Sequence, residues 1–197
     1  MKKANTSLFA SAILAGSMLA TGNAYALDRG ELLANTCAGC HGPAGVSHGP
    51  ATPTIAGMGV EYFVDSMEAY KSGDRPSTIM TRIARGYSTE DFTAMGEYFA
   101  KQKYISAEQD ANPKMAKIGG KLHDKYCEKC HTEAGSLAED ESGMLAGQWK
   151  PYLHYNLYDF TSGNREMPKK MARKLNAMYD KYGQKGIDAI VEFYATK

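Results

Sequence analysis

Apolar residues recur with a helical period towards the end of each half of the chain. In residues 91–103, Phe92, Met95, Gly96 and Phe99 fall at i, i+3, i+4 and i+7, and Ile187, Ile190, Val191 and Tyr194 repeat that spacing near the C-terminus. This is the signature of a helix with one buried face. Ser88 followed three residues later by Asp91 forms a capping box that would start the first of these helices. Residues 29–36 and 117–126 read as two further helices, and no stretch alternates with the period of two expected of a half-buried strand. The pattern predicts an all-α protein.

The N-terminus has a different pattern. Lys2 and Lys3 precede a 13-residue run of mainly apolar and small residues at 8–20, and Ala24-Tyr25-Ala26 follows. Positive start, short apolar core and small-x-small ending together read as a secretory signal peptide over 1–26. The run is too short to span a bilayer, and no longer one follows it. The chain is therefore expected to be periplasmic, with no membrane span. The remaining 171 residues carry 21 basic and 22 acidic side chains. That balance excludes a strongly basic nucleic-acid binder.

Export would permit disulfides, yet the cysteines argue otherwise. All four lie in two copies of one motif, Cys37-Ala-Gly-Cys40-His41 and Cys127-Glu-Lys-Cys130-His131. C-x-x-C alone fits a redox disulfide or half a zinc site, whereas C-x-x-C-H is the attachment signature of c-type haem. Two thiols one helical turn apart can each add to a haem vinyl group, leaving the adjacent imidazole to ligate the iron. A zinc site would need further ligands, and His48, His123 and His154 are scattered. The cysteines thus predict two covalently bound haem c groups, through Cys37 and Cys40 and through Cys127 and Cys130, with His41 and His131 as proximal iron ligands.

The chain also repeats itself. An offset of 90 residues places the first haem motif on the second, Gly30 on Gly120, Leu32 on Leu122, Tyr62 on Tyr152, and Ser72-Gly73-Asp74-Arg75 on Ser162-Gly163-Asn164-Arg165. So long a period indicates a duplicated domain rather than a solenoid. The expected division is a first domain at 27–105, a linker at 106–113 (SAEQDANP) and a second domain at 114–197.

Each half resembles a class I cytochrome c, with a first helix ending in C-x-x-C-H and a closing helix packed across it. The resemblance implies two tandem domains of that fold. It further implies that Gly30 and Gly120 admit an aromatic side chain from the last helix, Tyr98 or Phe99 in one half and Phe193 or Tyr194 in the other. It assigns the carbonyl that orients the proximal imidazole to a Gly-Pro pair, matched by Gly49-Pro50, and the second half has no Pro between His131 and Pro151. For the sixth iron ligand, Met80 follows the repeated Ser-Gly-x-Arg element, and Met167 lies between Arg165 and Pro168, the family's usual Met-Pro context. These are the expected axial residues, with Met171 as rival and a His48 or His154 ligand as the remaining alternative. Arg75 and Arg165 read either as partners of haem propionates or as surface arginines, and Trp149 either as lining the second haem or as core.

Longer words narrow the resemblance. Residues 67–73 (MEAYKSG), 77–80 (STIM), 86–89 (GYST) and 122–131 (LHDKYCEKCH) are similar to the dihaem subunits of flavocytochrome c sulfide dehydrogenases. This implies a heterodimer with a flavoprotein that oxidises sulfide, and onward transfer to a small periplasmic acceptor such as a cytochrome. The alternative is a free dihaem shuttle to a terminal oxidase. No cysteine remains to attack sulfide, Gly57-Met-Gly59 lacks the third glycine of a dinucleotide loop, and no nucleophile triad is apparent, so the chain has no catalytic residue of its own.

Overall fold

The computed structural model describes residues 28–137 and 142–197; the signal peptide expected at 1–26 lies outside them. The described residues form helices and connecting loops, with no strand among them. In chain order the helices are α1 (Arg29–Ala34), continued by a 3₁₀ turn (Asn35–Cys37), α2 (Ala38–His41), α3 (Val60–Ser72), α4 (Met80–Ala84) and α5 (Thr89–Ala100). The second half has α6 (Pro113–Tyr126), α7 (Thr132–Gly135), α8 (Lys150–Thr161) and α9 (Lys169–Tyr194). Among the described residues, no helix is long and apolar enough to cross a membrane.

Both predicted C-terminal faces are buried. Phe92, Met95 and Phe99 on α5 are the centre of one core, and Ile187, Ile190, Val191 and Tyr194 on α9 of the other. Burying a side chain of this size contributes about 1.5–3 kcal/mol. The capping box at the start of α5 is closed in both directions, the Ser88 hydroxyl accepting from Asp91 N–H and the Asp91 carboxylate accepting from Ser88 N–H. Helix α6 starts four residues before the expected 117. Asn112 accepts from the N–H groups of Lys114 and Met115, and Pro113 takes the first helical position, where its missing N–H costs nothing. Residues 104–109 are strapped to the second half: Ala107 N–H donates to Gly147 O at 2.7 Å, and the Gln109 amide bonds Gln148 O and Lys150 N–H.

The duplication is structural as well as sequential. Gly45 O accepts from the N–H groups of Ile55 and Ala56, and Gly135 O accepts from those of Leu145 and Ala146. Gly57 N–H donates to Phe99 O, and Gly147 N–H to Tyr194 O. The left-handed φ of Gly45 (80°) recurs at Gly135 (81°). The offset is 90 up to Arg165 and 95 from Phe99 to Tyr194, so the second half carries five extra residues between them. There α9 takes the place of the separate α4 and α5, broken at Gly183 (φ 58°, ψ −149°).

In each half the first helix crosses the last at a glycine. A Cβ on Gly30 would lie 2.4 Å from Ala94 O, and one on Gly119 would lie 1.9 Å from Ala189 O. Ala94 and Ala189 are separated by the same 95 residues as Phe99 and Tyr194, so Gly119 rather than Gly120 is the counterpart of Gly30. Gly120 instead faces the Phe193 ring, which a Cβ would approach to 3.3 Å. The one-residue slip has a geometric cause. The three residues of 3₁₀ helix that end at Cys37 rise about 1.5 Å more than three of α-helix, the rise of one α-helical residue. The first half therefore needs one residue fewer between glycine and thiol. Gly119→Ala is expected to destabilise the protein by about 2–3 kcal/mol, in the range of overpacked cores. Gly120→Ala is expected to cost less than half as much, because a ring can tilt and a backbone carbonyl cannot. Thermal denaturation of the two variants checks the order.

Candidate haem sites

Each C-x-x-C-H motif is carried to its cavity by the helix that crosses at the glycine. The first motif spans the 3₁₀ turn and α2, with Cys37 half-buried, Cys40 exposed and His41 buried. The second follows α6, with Cys127 half-buried and Cys130 exposed. No disulfide joins these cysteines. Burial pushes the Cys127 thiol up to about 11 and raises that of Cys37. A redox dithiol needs the opposite, a thiol whose pKa is lowered so that thiolate is available. Burial pushes both His41 and His131 below the ordinary imidazole range. Both are therefore neutral at pH 7, the form that can ligate a metal.

The two imidazoles differ in support. His41 Nδ1 lies 2.8 Å from the carbonyl of Pro53, three residues beyond the Gly49-Pro50 pair that the resemblance suggested. A fixed carbonyl partner orients a ligating imidazole and raises its basicity. His131 Nδ1 is buried and has no hydrogen-bond partner among the described residues. Beside it stands a network that periodicity did not reveal. His123, fully buried, joins the Tyr194 hydroxyl through Nδ1 at 2.9 Å and the Glu128 carboxylate through Nε2. That bond to His123 holds the Glu128 carboxyl below its ordinary range.

The cavity at the second motif has a volume of about 410 Å³, and Cys127, Cys130, His131, Met144, Met171 and Met178 are in its wall. Met167 and Met171 both pack against the second core, but only Met171 is in this wall; Met167 is not, although its neighbours Glu166 and Pro168 are. The cavity at the first motif is smaller, about 70 Å³, and Cys37, His41, Met58, Met67, Met80 and Met95 are in its wall. Neither wall includes His48 or His154; His154 faces Asp188 instead. The second wall joins both thiols of its motif to a neutral imidazole and thioethers; the first joins the Cys37 thiol to a neutral imidazole and thioethers, with Cys40 three residues on. These are the donors of a His/Met haem, so the residues fit the group at both sites.

A family model described as cytochrome c matches residues 27–112. Cytochrome c4 of Pseudomonas aeruginosa is 33% identical over 172 residues, which cover 84% of each chain. The chain belongs to the cytochrome c family, in its dihaem, cytochrome c4-like branch. The crystal structure of reduced recombinant cytochrome c4 from Pseudomonas stutzeri matches it with a TM-score of 0.73 at 28% identity, over 84% of this chain and 95% of that one. The cytochrome subunit of sulfide dehydrogenase of Chlorobaculum tepidum is 38% identical over 96 residues, 42% of this chain and 86% of that protein. The dihaem cytochrome is thus all-α, with two cytochrome c-like domains and two covalently bound haem c groups, one at each C-x-x-C-H motif.

The two domains of the cytochrome meet through polar groups. Gln148, at the position equivalent to Met58, is buried; its Oε1 accepts from Thr54 N–H and its Nε2 donates to Thr54 O, both at 2.9 Å. Trp149 is not in the second cavity wall. Its ring packs on Gly49, where a Cβ would lie 2.5 Å away, and its Nε1 donates to Ser47 O at 3.4 Å. Met58, Tyr152, Ser66 and Arg75 belong to the walls of both cavities. A signal for this boundary existed in the repeat, which pairs Tyr62 with Tyr152 and Arg75 with Arg165.

Proposed function

We propose that this dihaem cytochrome accepts electrons from a flavoprotein that oxidises sulfide, bound as a heterodimer, and passes them through both haems to a small periplasmic acceptor. The observation that carries the transfer role is the wall shared by the two cavities, which puts both haem sites of one chain side by side. When bound, haem with His/Met ligation supplies a one-electron couple at raised potential with no open coordination position. The chain's own part is to hold it. Cys37 and Cys40, and Cys127 and Cys130, would provide the thioether bonds, and His41 and His131 the nitrogen ligands. Met80 would provide the sulfur ligand of the first iron. For the second we assign Met171 in place of Met167, because Met171 belongs to the cavity wall.

The donor is supported by the likeness to the sulfide dehydrogenase subunit and by the absence of a spare thiol, which leaves sulfide chemistry to a partner. Lys170 and Lys174 at the second cavity put positive charge where an acceptor with an acidic face would dock. The free-shuttle reading is favoured by one observation: the cytochrome c4 match covers 84% of the chain, twice the share covered by the sulfide dehydrogenase subunit.

Two measurements test this reading. Met80→Ala and Met171→Ala are each expected to halve the near-infrared sulfur-to-iron band of the oxidised protein, and Met167→Ala to leave it unchanged; a halved band in Met167→Ala would return the assignment to Met167. Gentle purification of the native protein from periplasm is expected to yield one flavin per two haems on a second chain, with haem reduction on adding sulfide. Two haems without flavin or second chain would establish the free shuttle.

A further inference from the structure

Arg75 is only 4% exposed. A guanidinium is not deprotonated in proteins, so a full positive charge is buried at the domain boundary. Buried charges are ordinarily paired. Every hydrogen bond that Arg75 makes through its side chain goes to a neutral group instead. Nη1 donates to Ser66 Oγ at 3.0 Å, and Nη2 donates to the Tyr152 hydroxyl at 3.0 Å and to Asn156 Oδ1 at 2.8 Å. Its plane stacks on Tyr70, 4.5 Å from the ring centre. The ion pairs among the described residues use other cations.

These bonds occupy at most three of the five N–H groups of the fork and leave donors free. The same side chain stands in the walls of both haem cavities. Arg165 repeats the arrangement at the second cavity only: it donates to the same Asn156 Oδ1 at 2.8 Å and stacks on Phe160, 4.4 Å from the ring centre. The two halves therefore share one acceptor, Asn156, and one deeply buried cation.

Each haem brings two propionate carboxylates, anions of the kind a guanidinium binds as a fork. We propose that Arg75 is an anion site common to the two cavities, binding a propionate of each haem and so tying both reduction potentials to one buried charge. Reduction adds an electron to a haem, and a cation beside it in a medium of low dielectric favours the reduced form. One residue thereby raises both potentials together, while Arg165 acts on the second haem alone. The proposal rests on the two haems and not on the electron donor, so its failure leaves the flavoprotein reading untouched, and the reverse holds too.

The test is an equilibrium redox titration of the holoprotein, resolved into its two haems. Arg75→Gln is expected to shift the reduction equilibrium of both haems towards the oxidised form by about tenfold, which is about 59 mV for a one-electron couple. The exposed Arg29→Gln is expected to move neither by more than about twofold. A shift at one haem only, or at neither, would overturn the shared site. Should Arg75→Gln fail to retain haem, Arg75→Lys decides. Its ammonium keeps the charge but loses the fork, so one haem is expected to shift by about threefold and the other to hold; both haems unmoved would overturn the proposal.

Discussion

Each half of this cytochrome hangs on a helix crossing so close that only glycine is accommodated. Gly30 against Ala94 and Gly119 against Ala189 bring backbone onto backbone, nearer than any side chain would permit. From that contact the rest of each half follows. The first helix is fixed in azimuth and depth, so the first thiol of the motif and its imidazole, Cys37 and His41 or Cys127 and His131, are delivered to the cavity wall. The last helix is pinned over the haem motif, and the carbonyl of its terminal aromatic, Phe99 or Tyr194, accepts an N–H from the Gly57 or Gly147 loop. Core, loop and site are thus set by one pair of residues in each half.

The boundary between the halves follows a different physical rule. A dimer-like interface built for stability alone would be apolar, because an ion buried without an opposite charge costs more than packing returns. Here the boundary has Gln148 bonded twice to the Thr54 backbone, and the buried Arg75 bonded to Tyr152 and Asn156 of the other half. These groups are hydrogen-bonded but not neutralised. Such an arrangement makes sense where anionic groups enter from the cavities, which gives the polar boundary a role in setting the haems rather than in gluing the domains.

Much of this was legible in the sequence. The two C-x-x-C-H words, the period of 90 and the i, i+3, i+4, i+7 faces of Phe92 to Phe99 and Ile187 to Tyr194 each express a local chemical or geometric requirement, and such requirements survive in one dimension. What escaped depends on how elements meet. A constant offset selected Gly120, because it cannot register that a 3₁₀ turn lengthens the first helix by one residue's rise. The five added residues in the second half blur the comparison around Met167 and Met171 in the same way. Trp149 reads equally as cavity wall or as core; only the packing reveals that it seals the loop at Gly49. The carbonyl on His41 belongs to Pro53, since loop closure decides which carbonyl reaches the ring.

The central claim is that one chain holds two adjacent haem sites that exchange electrons within the molecule. The most direct measurement is rapid partial reduction of the fully oxidised holoprotein, for example by pulse radiolysis, followed by redistribution of the electron between the two haems. Exchange within the molecule predicts a redistribution rate independent of protein concentration. A rate proportional to concentration would mean that electrons pass between molecules, and would contradict it.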